Sequence, residues 1–332
     1  MRSLLKGATG KTSAKGTELS VEELFGRIQQ SVAAGDITTA ESLREALLHS
    51  DTVDIPLMEL VASAELIEEA KLAGIEKEHL QIWEELYETL SPEEKTVFFY
   101  SLVEKIFPQK SILIRQGNLN DSLFFLEKGH LAAIFTKEKE HSLVLQVGKG
   151  GFFGENTFFG MTVCTSSVVT RSEVVVKILK KEKVSEWQEK APGLYAKLES
   201  YCRVNDRYEE AFERKRQEKS RFQRVTVSGL VTAEILNAEM KGSGKQFRAA
   251  VEDLSRGGAC FSIKSSTREV AESLLAKSLK MLFAVGRKNH PVEFVAKGRV
   301  VKIKFHMEND YSVHVKFTSP LGEEKINLLQ VT

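Results

Sequence analysis

The spacing of apolar residues changes along the chain and divides it into regions of different structure. From Leu19 to about residue 90, apolar residues recur every three or four positions, which predicts a helical module. Around residues 112–179, and again from Val225 to Phe317, apolar and polar residues alternate between short turns. This alternation predicts two antiparallel β domains. Residues 1–18 show no period and predict a flexible tail.

These patterns predict an α+β protein with several domains. Two helical patterns flank or interrupt the strands: one passes through Val97, Leu102 and Ile106, and another spans about Ser266 to Lys280. The predicted segments are a tail (1–18), a helical module (19–90), a β roll (91–190), a long linking helix (191–218) and a C-terminal β barrel domain (219–332).

The predicted linking helix carries a heptad seam. Its positions alternate spacings of four and three, as in a helix that pairs with a second helix. The seam residues are Leu194, Leu198, Tyr201, Asn205, Tyr208 and Phe212. A lone polar residue such as Asn205 in a seam typically fixes register and strand number, which favours a homodimer. The alternative is that this short stripe packs on its own domain.

A basic run follows the seam. From Arg214 to Arg224 the chain has six basic side chains and one acidic side chain, a surface that attracts anions. The whole chain has a net charge of only +1, which argues against nucleic acid as a partner of the whole protein.

Composition predicts a cytoplasmic protein without a membrane span. With 42% hydrophobic and 28% charged residues the chain has an ordinary globular composition, and no apolar stretch reaches the length of a spanning helix. The three cysteines, Cys164, Cys202 and Cys260, are widely separated, which predicts neither disulfides nor a zinc cluster.

No pattern of a catalytic or metal site is found, so we expect no enzyme activity, no catalytic residues and no metal. The chain has no phosphate-binding Gly-rich loop ending in Gly-Lys-Ser/Thr and no nucleophile elbow. His49 and His79 fall on charged helical faces, and His290, His306 and His314 stand singly among strand or turn residues. The helical module is therefore expected to contact an unknown protein partner.

The predicted roll carries motifs of a known family. From about residue 90 to 198, the order of elements, the Gln116-Gly117-Asn118 stretch, the turn at Gly129 and the Phe153-Gly154-Glu155 stretch resemble a cyclic-nucleotide-binding domain of the catabolite-activator and protein-kinase-regulatory type. The resemblance implies that Gly154 and Glu155 open a phosphate-binding cassette, with Glu155 on the ribose 2′-hydroxyl.

The same resemblance calls for an arginine nine or ten residues later, on the cyclic phosphate. Cys164 and Thr165 occupy those positions, so the charge-assisted contact is missing. Hydroxyl groups of Thr165, Ser166 and Ser167 remain as donors, and cAMP or cGMP stays a possible ligand. The alternative is a degenerate pocket that is kept for its fold and for pairing. The family's long helix after the roll favours the dimer, while strands after Val225 leave no recognition helix for DNA.

The last domain carries a second set of motifs. The stretch Asp253-Leu254-Ser255-Arg256-Gly257-Gly258 lies between two predicted strands, and a basic arm precedes Val225. Together they resemble a PilZ domain, the bacterial receptor module for cyclic-di-GMP, which implies a six-stranded barrel. That family reads its ligand with an Arg-x-x-x-Arg arm and an Asp/Asn-x-Ser-x-x-Gly turn. The turn matches at three positions, namely Asp253, Ser255 and Gly258.

The arm matches in part. Arg224 fits the second arginine, but Ser220 stands in the first position, between Lys219 and Arg221. These two cations keep positive charge there without the fork geometry of an arginine at that position. We therefore expect a bacterial second-messenger receptor that binds cyclic-di-GMP, needs no cofactor and uses a degenerate cyclic-nucleotide-binding domain for sensing or pairing. The alternative is an interaction scaffold with both nucleotide pockets degenerate.

Overall fold

The structure of the protein is a computed structural model. It describes residues 19–49, 57–137, 140–206, 211, 224–287, 290–306 and 309–330. The chain forms two compact units, Met1–Glu76 and Lys77–Thr332. None of the described helices is both long enough and apolar enough to cross a membrane.

The described residues of the first unit form three helices, which confirms the predicted N-terminal helices. They are α1 (Val21–Ala33), α2 (Ile37–Leu48) and α3 (Leu57–Gly74). Helix α1 begins at a capping box, in which the Ser20 and Glu23 side chains each accept a hydrogen bond from the other residue's backbone N–H. Apolar residues of all three helices form the core: Leu24, Ile28, Ala40, Leu47 and Ile67.

Two short helices, α4 (Lys77–Ile82) and α5 (Glu84–Tyr87), belong to the second unit and pack on its β roll. His79 is fully buried, with Nδ1 2.7 Å from Glu127 Oε1 and Nε2 2.9 Å from the Tyr87 hydroxyl. Trp83 Nε1 donates to the same Glu127 oxygen over 2.9 Å. The prediction that His79 lies on a charged face is therefore wrong, because its polar partners lie on a neighbouring strand and helix.

The roll consists of two four-stranded antiparallel sheets, ordered β1-β9-β3-β6 and β2-β8-β4-β5, and confirms the predicted antiparallel roll. The helix α6 (Pro92–Tyr100) precedes it and is capped by Ser91. The strands and the short helix between them are β1 (Leu102–Phe107), β2 (Ile112–Ile114), β3 (Ser122–Lys128), β4 (Leu131–Lys137), β5 (Glu140–Val147), β6 (Phe152–Phe153), α7 (Glu155–Phe158), β7 (Met161–Thr162), β8 (Ser167–Thr170) and β9 (Val174–Lys180).

The predicted helix through Leu102 and Ile106 is wrong beyond Tyr100. Leu102 pairs with Leu179 and Ile106 with Val175, so this segment is the edge strand β1. Its backbone groups find partners on β9, and this tertiary pairing overrides the helical spacing of its apolar residues.

The roll is followed by the helices α8 (Lys181–Val184), α9 (Trp187–Lys190) and α10 (Leu194–Val204). Leu194 and Leu198 are fully buried within the second unit, and the Tyr201 ring centroid lies 6.0 Å from that of Phe152. Asn205 caps the C-terminal end of α10, and its side-chain amide donates to the Tyr201 carbonyl over 3.1 Å.

This corrects the prediction of one unbroken helix over 191–218. The first seam positions pack inside their own unit because the roll offers them an apolar surface. Tyr208 and Phe212 lie outside the described residues. The homodimer stays a prediction.

The C-terminal region is a closed antiparallel barrel of six strands, as predicted. The strand order is β12-β11-β14-β15-β16-β13, and β13 pairs with β12 to close the barrel. Its elements are β10 (Val225–Thr226), β11 (Gly229–Leu236), β12 (Gly242–Ser255), β13 (Gly258–Lys264), α11 (Arg268–Glu272), β14 (Ser278–Arg287), β15 (His290–Phe305), β16 (Asp310–Phe317) and α12 (Glu323–Gln330).

Helix α11 is shorter than the predicted helical segment of residues 266–280. The residues from Ser278 onward are strand β14 and pair with both β11 and β15. The inside of the barrel is filled by alternate residues of its strands, with Phe261, Phe283 and Val313 fully buried.

Candidate functional site

The first candidate site is the cassette at the start of α7. Gly154 has φ +96°, and a Cβ atom there would lie 2.5 Å from the Ser122 carbonyl oxygen, so this position requires glycine. The preceding Phe153 ring is stacked on Phe124 with ring centroids 4.6 Å apart. The Gly154–Glu155 pair that the sequence singled out is therefore held in a fixed conformation at the edge of the roll.

The cavity beside this pair is small. Its volume is about 50 Å³, and its described lining residues include Gly154, Glu155, Cys164 and Thr165 but no lysine or arginine. Cys164 is buried, and burial raises the pKa of its thiol to about 11, so the thiol is neutral at pH 7. Thr165 is exposed. In this structure the four cassette residues come together around a space far smaller than the roughly 300 Å³ of a small ligand pocket.

The carboxyl group of Glu155 is buried and incompletely paired. Its Oε1 accepts a hydrogen bond of 2.9 Å from Asn156 Nδ2, while Oε2 has no hydrogen-bond partner among the described residues. Burial, reinforced by the negative charge of Asp206, raises the pKa of Glu155 to about 7. Burial is the main cause that raises the pKa of the Cys202 thiol on α10, and the negative charge of Glu155 is the second cause. The carboxyl group therefore interacts with the α10 side of the cassette.

The second candidate site lies on the barrel, where the predicted arm meets the predicted turn. Strand β10 pairs with β12 so that Thr226 lies opposite Asp253. Arg224, just before β10, places Nη1 2.7 Å from Asp253 Oδ1, although the two residues are 29 positions apart. Their side chains are 55% and 26% exposed, so a ligand in solution can reach both. Lys219, Ser220 and Arg221 lie outside the described residues.

The turn itself is shorter than the sequence predicts. Asp253 and Ser255 are part of β12, Gly258 begins β13, and only Arg256 and Gly257 connect the two strands. The predicted six-residue turn is therefore corrected to a two-residue hairpin, because strand pairing continues through the motif.

Two of the motif residues shape this hairpin. The buried Ser255 hydroxyl donates to the Gly258 carbonyl over 3.3 Å. A Cβ atom at Gly258 would lie 2.3 Å from the Val315 carbonyl oxygen, so a side chain there would push β13 away from β16. Ser255 and Gly258 thus support the strand that carries Asp253.

A row of neighbouring residues extends from Asp253 across the barrel. Asp253 pairs with Cys260, Cys260 with His314, and His314 with Lys302. Burial, followed by the positive charges of Arg224 and Lys302, lowers the pKa of His314, so its imidazole is neutral at pH 7.

Sequence reasoning treated His314 as an isolated histidine and did not single out Lys302. The sequence does carry one signal for the orientation of His314, namely the alternation along β16. Val313 and Val315 face the core, so His314 between them faces outward. Which strands lie beside it is decided by the barrel.

The row continues into the roll. Lys302 of β15 pairs with Thr162 of β7, and Ile303 pairs with Met161. The Val163 N–H donates to the Val301 carbonyl over 2.9 Å, and the Thr162 hydroxyl donates to the same oxygen over 3.1 Å. The segment between Glu155 and Cys164 is thus hydrogen-bonded to the barrel.

The part of the chain that the structure describes holds no group of three or more His, Cys, Asp or Glu side chains suited to a metal ion.

Two sequence families match separate parts of the chain. Residues 104–190 match the cyclic nucleotide-binding domain, and residues 218–331 match the PilZ domain. Both domains are found in proteins that sense nucleotide second messengers. No curated protein matches the chain.

Several solved structures are similar to the chain. One is a cyclic nucleotide-binding domain from Methylobacillus flagellatus, with 19% identity over 39% of this chain and 75% of that chain and a TM-score of 0.35. Another is the catabolite activator protein of Thermus thermophilus, with 20% identity, 40% and 62% coverage and a TM-score of 0.34. A third is a regulatory subunit of a cAMP-independent protein kinase A from Trypanosoma cruzi bound to guanosine, with 15% identity, 46% and 53% coverage and a TM-score of 0.36.

Proposed function

The chain joins a cyclic nucleotide-binding domain to a PilZ domain, and we propose that it is a cyclic-di-GMP receptor that binds its ligand on the barrel. The observation that carries this proposal is the meeting of Arg224 and Asp253, one from each half of the ligand motif, at an exposed position. Lys219, Ser220, Arg221, Ser255 and Gly258 complete the proposed site.

The chemistry of the pair fits a dinucleotide with two phosphates and two guanines. A guanidinium group can bind phosphate oxygens or a guanine edge with two parallel hydrogen bonds. Asp253 already holds the Arg224 side chain at the barrel surface, which reduces the entropy that binding would otherwise cost.

We propose that the cassette of the roll does not bind cAMP or cGMP. Its cavity of about 50 Å³ has no cation among its described lining residues, and the position for the phosphate arginine is a buried cysteine. A cyclic phosphate there would be buried without an opposite charge, at a cost of several kcal/mol. The roll serves instead as a domain that holds the barrel.

Titration calorimetry with cyclic-di-GMP, cAMP and cGMP tests both parts of the proposal. We expect binding of cyclic-di-GMP alone, and Arg224→Ala should weaken it by about ten- to a hundredfold because a charge-assisted contact is lost. Arg248→Ala is the matched control. Arg248 is also an exposed arginine on β12, but it comes earlier in the strand than Asp253 and lies farther from the hairpin. Ser220→Arg, which supplies the missing arginine of the arm, should tighten binding.

The outcomes separate the alternatives. No cyclic-di-GMP binding by the wild type or by Ser220→Arg would defeat the receptor proposal and favour the interaction scaffold. Strong cAMP or cGMP binding by the wild type would contradict the proposal that the cassette binds neither ligand.

The remaining parts of the proposal concern the whole protein. We propose a non-catalytic cytoplasmic protein of bacterial type that forms a homodimer and contacts a protein partner through its N-terminal helices. Light scattering at micromolar concentration tests the dimer, and a monomer would contradict it.

A further inference from the structure

The outer surface of the barrel carries an apolar patch on β11, β14 and β15. Three large side chains there are about half exposed, namely Leu230 (55%), Leu282 (48%) and Val295 (52%). The residue that follows each of them in its strand is buried, so the three side chains point outward. Large apolar side chains that lie together on the surface of a folded domain mark a site of interaction.

The opposite side of the barrel is polar. In the closed strand order, β11 and β14 lie opposite β16 and β13. The outward positions of β16 are occupied by Ser312, His314 and Lys316. The apolar patch is therefore a property of one side of the barrel and not of its whole surface.

The three apolar side chains form one diagonal line across adjacent strands. Leu282 pairs directly with Val295 of β15 and, on its other side, with Thr232 of β11. Leu230 precedes Thr232 by two positions and so lies on the same outward face. With strands about 4.8 Å apart and about 6.8 Å between alternate residues, Leu230 and Val295 are roughly 12 Å apart. Two turns of an α-helix span about 11 Å, so the patch fits residues i, i+3 or i+4, and i+7 of a helix.

Positive charge lies beside this patch. Lys280 and Lys297 pair directly with each other, two positions from Leu282 and Val295 respectively. Both lysines are exposed, and neither forms an ion pair with a residue that the structure describes. Like charges directly opposite each other destabilise a sheet, so a carboxylate placed between the two lysines is favourable. Arg248 of β12 adds a third exposed cation on the same face.

Two carboxylates also lie on this face, but they do not balance the cations. Glu234 is opposite Lys280, and its side chain is turned towards Gly242. Glu293 lies at the other end of the patch, opposite Ala284. A second copy of the chain would bring the same excess of positive charge to the contact. The charges therefore favour an acidic partner.

We propose that this surface binds an acidic amphipathic helix of a partner protein. Apolar residues of that helix pack on Leu230, Leu282 and Val295, and a carboxylate of its next turn lies between Lys280 and Lys297. The surface shares no residue with the proposed dinucleotide site or with the N-terminal helices. It is thus an additional interaction surface, on the same domain as the proposed receptor site.

A pair of designed peptides tests the surface on the full-length protein. The acidic peptide is a helix of about 18 residues with leucines at i, i+3, i+4 and i+7 and glutamates beside them. The basic peptide has lysine in place of each glutamate. In fluorescence anisotropy at low salt, we expect the acidic peptide to bind at least about tenfold more tightly than the basic peptide. High salt should reduce this difference, because it screens exposed charges.

Two double variants assign the apolar and the charged contacts. Leu230→Ser with Leu282→Ser should weaken binding of the acidic peptide by about tenfold or more, because apolar surface is no longer buried. Lys280→Glu with Lys297→Glu should reverse the preference, so that the basic peptide binds more tightly than the acidic one. Such a gain of binding requires a folded protein.

The matched control is Lys264→Glu with Lys304→Glu. These lysines are also exposed on barrel strands, but they pair with Asp310 and Ser312 of β16 and lie outside the patch. The control should bind the acidic peptide nearly as well as the wild type and should keep the same preference.

Several results would overturn the proposal. They are no binding of the acidic peptide at roughly 100 µM, equal affinity for the two peptides, and a reversed preference in the control. A dimer in light scattering that the two serine substitutions dissociate would assign the surface to a second copy instead. Sedimentation with phosphatidylglycerol vesicles that is lost in the same variant would assign it to a membrane. Cyclic-di-GMP binding should be equal in wild type and variants, which separates failure of this surface from failure of the receptor function.

Discussion

The cassette of the roll and the motif site of the barrel differ in burial and in charge. The cassette encloses about 50 Å³ beside a buried cysteine and a buried carboxyl group. The barrel site holds an exposed ion pair, with the Arg224 side chain 55% exposed. Each departs from its family pattern at one arginine, at Cys164 in the roll and at Ser220 in the barrel arm.

The difference shows that the loss of one residue has consequences set by its surroundings. At Cys164 the side chain is buried, and the adjacent cavity is small and has no cation among its described lining residues. At Ser220 the missing side chain belonged to a basic arm, where Lys219 and Arg221 retain positive charge. A surface site can lose a cation and keep an anion-attracting potential, whereas a closed site cannot.

The largest expected effect concerns the glycines of both sites. Gly154→Ala and Gly258→Ala should each lower the free energy of unfolding by about 2–5 kcal/mol, because each Cβ would clash with a backbone carbonyl. Gly322→Ala is the control, since a Cβ there meets nothing within 4 Å. Urea unfolding measures all three, and a Gly154→Ala protein of wild-type stability would show that the cassette is looser than the structure indicates.

A second effect separates the buried cassette carboxyl group from exposed carboxylates. The pKa of Glu155 is about 7 in the folded protein against an ordinary 4.5, so the folded protein keeps a proton that the unfolded chain releases in this window. The free energy of unfolding therefore falls as pH rises from about 4.5 to 7, by roughly 3 kcal/mol for this group. Glu155→Gln should remove this decrease. Parallel stability curves for wild type and variant between pH 5 and 8 would contradict the raised pKa.

The smallest effect is expected at the open site. Asp253→Asn removes the charge of the exposed pair with Arg224 but keeps its shape, and should change the free energy of unfolding by less than about 1 kcal/mol. Thermal unfolding at low and high salt is the measurement. A larger loss would mean that the pair supports the barrel itself, and the contrast between a structural cassette and a ligand-accessible barrel site would fail.

Several features could be predicted from the sequence because they depend on neighbouring residues. The helical period of residues 21–48 and the alternation along β11 to β16 are local patterns, and each corresponds to elements of the structure. The two sets of motif residues could also be read directly from the sequence. Their glycines, Gly154 and Gly258, lie at positions where a Cβ atom would clash with a backbone carbonyl oxygen.

Only the tertiary structure decided how these elements meet. The burial of His79, the strand at Leu102, the intramolecular packing of Leu194 and Leu198, and the pairing of β7 with β15 each depend on a partner distant in sequence. The same holds for the small cavity of the cassette. A periodic pattern fixes which face of an element is apolar, but burial, cavities and charge pairing depend on which faces come together, and the chain's local spacing does not encode this.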